Sequence, residues 1–515
     1  MNSLRVLVNA FIRYGELLAL AFRLKKNKLS VKGASDRVWL VEAVEDSAFL
    51  LRFYYYLLSV FQSGEYPRII WIYTKINFNS GKSIRSRLMD SLTQGAVFNW
   101  LWKLIYRTIV KSDWIQYQPI NVNQKNRALS KTIFESLTSK ESLEALEVNG
   151  IRIGDLIYDT FLRFKPAPTV DIRDPLIEEI ISFSLQLIDE LQSVISENRV
   201  SHVVSGYVTY IQHGILSRVA INEGLKTFSF GAFNQLIVQP TRSFPYQRRH
   251  FFKYKEMFNS VDDPEVARLE GKKIIQNRLS GKSDHLTFYM KKSSFEPTID
   301  EISDHLLSRK LDSRPKVVIM GHDFFDSPHI YGRMLYPDFY EWVVGCLSMG
   351  KDSPFQFLYK PHPNSVTDEN NVLEMLKEKF PEVVFLSKEV SNRQIMTMNI
   401  MYVITVYGTV AYEFAANGFR VLCCGENPHQ TYGFSHLVES RDELKSILCG
   451  LNEPRIDISL NEIYEYVYLH NYRLEKGELS LFPWSVDALK LPEMLSSQEK
   501  RLYYMKNAIQ NVNNI

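Results

Sequence analysis

Apolar and polar positions fall along this chain in blocks that read as strand, helix, strand. RVWLVEA (37–43) is a short, nearly unbroken apolar run, which suits a strand. The helical AFLLRFYYYLLSVF and the strand RIIWIY follow it. Farther on, Asp174-Pro175 makes a helix N-cap with proline at the first helical position. Behind it Leu176, Ile180, Phe183, Leu187, Leu191 and Val194 recur at helical spacing. SHVVS is the next strand, a helix spans roughly 211–222, and KTFSFG is another strand. A βαβ rhythm of this kind implies a parallel sheet.

Between about 238 and 313 the pattern dissolves into polar, charged and proline-containing sequence, expected as loops and a connection. A second series then begins at KVVIM, with a helix around 337–347, the strand FQFLYK, a helix around 371–380, and the strands VVFL, MYVITVY and RVLCCG. The tail from about 460 to 515 reads as helical. The division expected is therefore an amino-terminal Rossmann-like domain with amphipathic leading helices over 1–260 and a linker over 261–313. A second Rossmann-like domain covers 314–455, and helices over 456–515 pack back on the first.

Bulk numbers narrow the class. The chain of 515 residues has room for two domains of about 200 to 250 residues. With 45% hydrophobic and 23% charged residues its composition is that of a soluble globular protein, and a net charge of +3 supplies no bulk attraction for nucleic acid. Four cysteines (Cys346, Cys423, Cys424 and Cys449) fit no zinc or disulfide spacing, which suits a reducing cytoplasm. The apolar stretch Val6 to Phe22 is broken by Arg13 and Glu16, so it reads as neither a spanning helix nor a signal peptide. Two segments are amphipathic and basic: VLVNAFIRYGELLALAFRLKKNK, and GAVFNWLWKLIYRTIVKSDW, which interleaves Trp100, Trp102, Tyr106 and Trp114 with Lys103, Arg107 and Lys111. Such helices partition into anionic interfaces; they also serve as ordinary core helices whose basic tips reach water. The location expected is cytoplasmic, either free or peripheral on the inner face of the cytoplasmic membrane.

Two segments carry the chemistry. FQFLYKPHPNS places Lys360 and His362 at a strand end, and MYVITVYGTVAYEFAANG places Gly408, Thr409 and Glu413 where a strand turns into a helix. Strand ends opening onto helices are where open α/β sheets bind ligands, and a phosphate suits the donors found there. Glu413, one turn past Thr409, is positioned to accept from ribose hydroxyls. The plain structural reading has His-Pro ending a strand, Gly-Thr capping a helix and Glu413 solvated. GHDFFDSPHIYG puts His322, Asp323 and Asp326 after the first strand of the second series, as ligand contacts or as a polar turn. With His329 they lack metal-like spacing, and no metal is expected. The loop GENPHQTYGF carries His429 and Tyr432, either as substrate contacts or as parts of a structured surface loop. In the first half, GDLIYDTFLR offers Asp155 and Asp159, and SGYVTYIQHGILSRVA offers Tyr210, His213 and Arg218. Asp155, Asp159 and His213 are the candidate general bases, with Glu45 and Asp46 behind them; Arg218 is a candidate fork for a substrate carboxylate or phosphate. No P-loop, zinc-protease or kinase signature is present in the sequence.

KPHP, a Gly-Thr helix start, a Glu one turn on and Gly418-Phe419-Arg420-Val421 together resemble the carboxy-terminal half of bacterial capsule and surface-polysaccharide glycosyltransferases of the GT-B type. The resemblance is nearest to enzymes using CMP-activated acidic sugars, the 3-deoxy-manno-octulosonic acid transferases and bacterial sialyltransferases. It is strongest over about 120 residues, Lys316 to Gly433, and weaker through VNGIRIGDLIYDTFLR and SGYVTYIQHGILSRVAINEG. It implies an α/β, GT-B-like fold: two Rossmann-like domains facing a central cleft, with a helical tail crossing back. In those families the His-Pro element and the small hydroxyl residue hold the nucleotide phosphate, and the Glu sits near the ribose. The activity implied is transfer of a sugar from a nucleotide donor, CMP-linked acidic sugars favoured, to a growing capsule or surface glycan. It needs no cofactor beyond that co-substrate and no metal. Implied partners are the donor, a glycan or glycolipid acceptor and polysaccharide-assembly machinery at the inner membrane surface; nucleic acid is not among them. CDP-glycerol phosphotransferases share the KPHP element, so a CDP-polyol phosphotransferase stays open, as does a non-catalytic glycan-assembly subunit of the same fold.

Overall fold

The apolar runs pair side by side into two all-parallel sheets. In the first, β1 (Val38–Glu42), β2 (Arg68–Thr74), β3 (Asp113–Tyr117), β4 (Val200–Ser205) and β5 (Lys226–Ser229) take the order β3-β2-β1-β4-β5. Every pairing in it is parallel. In the second, β6 (Lys316–Met320), β7 (Gln356–Lys360), β8 (Val384–Phe385), β9 (Ile400–Thr405), β10 (Val421–Cys423) and β11 (His436–Leu437) take the order β8-β7-β6-β9-β10-β11, again all parallel. Each sheet is laid down in one direction from its first strand and then resumes on that strand's other side. This reversal, between β1 and β4 and between β6 and β9, is the topological switch point of a doubly wound fold. The chain is therefore α/β with two Rossmann-like units.

The structure, a computed structural model, describes residues 37–46, 67–76, 96–110, 112–117, 122–165, 167–229, 253–282, 293–296, 301–363 and 369–472, with isolated residues and short runs elsewhere. One unit takes in the described residues up to 165 and those from 171 to 246; the other holds 167–170 and 253–472. Strand residues of the second sheet alternate between two buried clusters: Val317, Ile319, Phe357 and Tyr359 on one face, Val318, Met320, Leu358 and Val403 on the other. Both faces are covered, which is why these strands read as unbroken apolar runs.

Two expected boundaries differ from what is seen. The stretch 261–313, expected as a linker, contains the helix Pro264–Leu279 within the second unit. Asp263 caps it by accepting the Val266 amide, and Ala267, Gly271, Ile275 and Arg278 form its buried stripe. A glycine and an arginine make up half of that stripe, so its period does not stand out as apolar. The helix Leu460–Val467 was expected on the first domain. It lies instead against Pro264–Leu279, so close that a Cβ on Gly271 would sit 2.1 Å from the Tyr464 carbonyl oxygen. Ile463, Tyr466 and Val467 bury its inner face. The rest of the tail, 473–515, and most of the leading amphipathic segment lie outside the described residues.

Candidate active site

At the first unit's switch point, β1 ends in Glu42 and β4 ends in Ser205, followed by Gly206. Glu42 is 3% exposed, and a buried carboxylate needs donors on both oxygens. It has them: Oε2 accepts the Gly206 amide at 2.5 Å, and Oε1 is bonded to Nδ1 of His213. His213 stands in the first turn of the helix Tyr210–Asn222, and its side chain keeps 17% of its surface exposed. A carboxylate on Nδ1 fixes the tautomer in which that nitrogen carries the proton and Nε2 presents a lone pair. That is a base held by an orienting acid. The loop after β1 is pinned by Tyr106, whose hydroxyl donates to the Val44 carbonyl at 2.7 Å and accepts the Val44 amide at 3.1 Å.

His213 is among the bases expected from the sequence; Glu42 is not, and its expected neighbours Glu45 and Asp46 are engaged elsewhere. Glu45 accepts the Tyr73 hydroxyl at 2.5 Å, and Asp46 accepts the Phe49 amide at 3.2 Å. The signal for Glu42 was a single carboxylate closing the apolar strand VWLVE.

Asp155 and Arg218, expected as a base and a substrate fork, are committed to each other. Nη1 and Nη2 of Arg218 donate to the two Asp155 oxygens at 2.5 and 2.7 Å, and Nη1 also reaches the Arg152 carbonyl at 2.7 Å. The Tyr246 hydroxyl donates to the same carboxylate. Both side chains are buried. Burial alone would lower the guanidinium's pKa; its bidentate pairing with Asp155 more than reverses this and holds it above the ordinary value. Asp159, one turn on in the helix Gly154–Phe164, is buried as well.

In the second unit, residues following β6, β7 and β9 share one sheet edge at the switch point. The His322 ring stacks on Phe339 at 4.0 Å with Tyr331 edge-on at 5.1 Å, and His362 lies 6.0 Å away. Tyr331 in turn meets Tyr407 at 4.6 Å. Gly408 follows at φ 137°, a conformation L side chains rarely adopt, with no atom within 4 Å of the place a Cβ would take. Thr409 opens the helix Val410–Ala415 without a side-chain capping bond. His322, His362, Gly408 and Thr409 are thus brought to one edge.

Five other expected contacts of this unit are turned inward, and Asp326 is held in a turn. Lys360 is buried, donating to the Ser387 and Lys388 carbonyls at 3.2 and 3.0 Å. Burial, then the nearby Lys388 charge, lowers its pKa to about 7. Glu413 faces the helix Pro264–Leu279, not a ribose: it pairs with buried Arg278 at 2.8 Å and accepts from Asn392 at 3.4 Å. Its partner lies 135 residues away, in the supposed linker, and nothing local announced it. Asp323 accepts the Phe325 amide at 3.0 Å, and Asp326 accepts the Ser327 amide at 2.9 Å and the Tyr331 hydroxyl at 2.8 Å, so the two shape a turn. His429 and Tyr432 are buried beside Phe434 and Tyr466. His429 Nδ1 bonds Ser435 Oγ at 3.1 Å, and burial pushes the imidazole's pKa down to about 3.

No protein-family profile and no curated protein matches the chain. Among solved structures it is similar to a putative UDP-N-acetylglucosamine 2-epimerase from Listeria monocytogenes, at 9% identity over 84% of this chain and 90% of that one, with a TM-score of 0.24. It is similar also to MurG of Acinetobacter baumannii, at 10% identity over 84% and 95%, TM-score 0.22. A third likeness is to a trehalose-6-phosphate protein of E. coli bound with UDP-2-fluoro glucose, at 9% identity over 93% and 99%, TM-score 0.26. Likenesses of this size bear no weight; the fold class rests on strand order and direction.

Proposed function

We propose that the chain is a glycosyltransferase that moves a sugar from a nucleotide donor to a glycan acceptor. The observation that carries this reading is the Glu42–His213 pair at a switch point, with Nε2 of the imidazole left for a hydroxyl proton. Glu42 sets the tautomer, and His213 takes the proton from the attacking acceptor oxygen. At the second unit's switch point, His322, His362 and the Thr409 hydroxyl donate to the donor's phosphate, and Gly408 lets the backbone approach it closely. Charge forming on the departing phosphate is met by donors already in place. Lys360 and Glu413 have no part in this grip, since both are consumed inside the fold.

The finer reading follows the sequence resemblance: a CMP-linked acidic sugar as donor, a bacterial capsule or related surface glycan as acceptor, and work at the inner face of the cytoplasmic membrane. No cofactor beyond the nucleotide sugar is called for. The test is a panel of CMP-, CDP-, UDP- and GDP-compounds scored by thermal stabilisation and then by transfer. A true donor at one hundred times its dissociation constant adds about 2.7 kcal/mol of stability. A glycosidic product made by the natural chain and lost in His213→Ala supports the reading; a phosphodiester product, or background turnover with every donor, overturns it.

A further inference from the structure

Among the described residues, the two most exposed aromatic side chains are Trp100, at 59%, and Phe22, at 53%. They fall on the two segments whose sequence is both amphipathic and basic. Trp100 belongs to the helix Ala96–Ile109, fourteen residues with Lys103 and Arg107 and no acidic residue. The helix is fastened by its inner face: Trp102, Ile105, Tyr106 and Ile109 are buried, and Tyr106 bonds the Val44 backbone. Residues three and four apart share a helix face, so the outer stripe is Trp100, Lys103, Leu104 and Arg107. Arg107 is exposed there, and Lys103 and Leu104 are half-buried. Lys75 adds a third cation beside the stripe, its ammonium donating to Asn99 at 3.0 Å. Phe22, in turn, is followed in the sequence by Arg23, Lys25, Lys26 and Lys28.

We infer that the outer face of the helix Ala96–Ile109 docks on an anionic lipid surface. A lone exposed indole flanked by cations has a direct match in such a surface: the ring enters the headgroup boundary while the ammonium and guanidinium groups meet lipid phosphates. A nucleic-acid partner does not fit, because the chain as a whole carries only +3. At fourteen residues the helix Ala96–Ile109 is itself too short to cross a bilayer. One weak contact does not hold a protein at a membrane, but two signals do, and the Phe22 segment supplies the second. Each cation near an anionic surface contributes roughly five-fold to partitioning, an effect that salt screens. This inference rests on the membrane location proposed above and deepens it by naming the docking face; it does not depend on the sugar-transfer chemistry.

The experiment is sedimentation of the full chain with phosphatidylcholine vesicles, with and without about 30% phosphatidylglycerol. The expected result is binding to the anionic vesicles at low salt, little binding to pure phosphatidylcholine, and release at high salt. Lys103→Glu with Arg107→Glu is expected to weaken partitioning at least ten-fold, and Trp100→Ser to weaken it several-fold. Unchanged melting temperatures show that these substitutions on the outer face leave the fold intact. Failure to sediment with anionic vesicles at low salt overturns the inference. So does wild-type binding by both variants, or a self-associated chain that Trp100→Ser turns into a monomer. Transfer to a water-soluble acceptor is expected to be the same in all three proteins, so loss of docking and loss of catalysis are read separately.

Discussion

Glu42 and His213 lie 171 residues apart in the chain, and one oxygen of the first holds Nδ1 of the second. The strand order creates this contact: β1 and β4 are neighbours at the reversal, so the end of one meets the helix that follows the other.

His213→Ala is expected to lower kcat by roughly 10² to 10⁴ with little change in the melting temperature, because the ring lies partly at the surface. Glu42→Gln keeps the shape but lets the amide offer either an oxygen or an NH₂ group, so the imidazole loses its fixed tautomer. Its kcat is expected to fall by a smaller factor, while donor affinity stays normal. Steady-state kinetics and nucleotide titration on the same preparations check both; normal kcat in His213→Ala places the base elsewhere.

Glu413→Ala and Asp155→Asn test stability and not chemistry. Each removes or neutralises the counter-ion of a buried guanidinium, Arg278 in one case and Arg218 in the other. Breaking a buried pair on one side costs about 3 to 5 kcal/mol. Urea unfolding is expected to show that loss, with nucleotide affinity per folded molecule unchanged. A raised Michaelis constant for the donor in stable Glu413→Ala would return that residue to the ribose.

Acid is expected to weaken the second unit through His429. In the unfolded chain the imidazole titrates near 6.5, whereas burial holds it at about 3 in the fold. Between those values the unfolded state binds the extra proton, so stability falls as the pH falls, by about 1.4 kcal/mol per unit for this one group. Above 6.5 the group contributes no slope. Unfolding free energies at pH 7, 6 and 5 are expected to converge between the natural chain and His429→Asn. Parallel curves would mean that the imidazole is protonated inside the fold.

Gly271→Ala gives a sign test for the helix pair. In a free helix this change stabilises, by roughly 0.5 to 1 kcal/mol. Here the new methyl would meet the Tyr464 carbonyl at 2.1 Å, so the helices Pro264–Leu279 and Leu460–Val467 must part. Overpacking of that kind costs about 1 to 3 kcal/mol, and a net loss in melting temperature is expected.

Much of the fold was legible in apolar runs. VWLVE, RIIWIYT, KVVIM and QFLYK stand out because parallel strands are buried on both faces, and the cap at Asp174 accepts an amide as such residues do. Strand ends were legible as such: His362, Gly408 and Thr409 lie just beyond them, and His213 lies in the helix that follows β4. The fate of each charge at those ends was not. Whether Asp155, Arg218, Lys360 or Glu413 faces water depends on a partner 27 to 135 residues away, and no local pattern records such a pairing. The helix Pro264–Leu279 escaped for a related reason: its buried stripe includes an arginine and a glycine, held by a partner carboxylate and a partner backbone.

That helix also sets a timetable for synthesis. Its packing partner, Leu460–Val467, is made about 180 residues later. At a ribosomal rate of about 5 to 20 residues per second, roughly 10 to 35 seconds pass before the two can meet. Throughout that interval Ala267 and Ile275 have no cover from Leu460–Val467, and for most of it Arg278 has no counter-ion. Until Leu460–Val467 leaves the ribosomal tunnel, the nascent second unit shows this stripe to solvent, which is the kind of exposed surface on which unfinished chains aggregate.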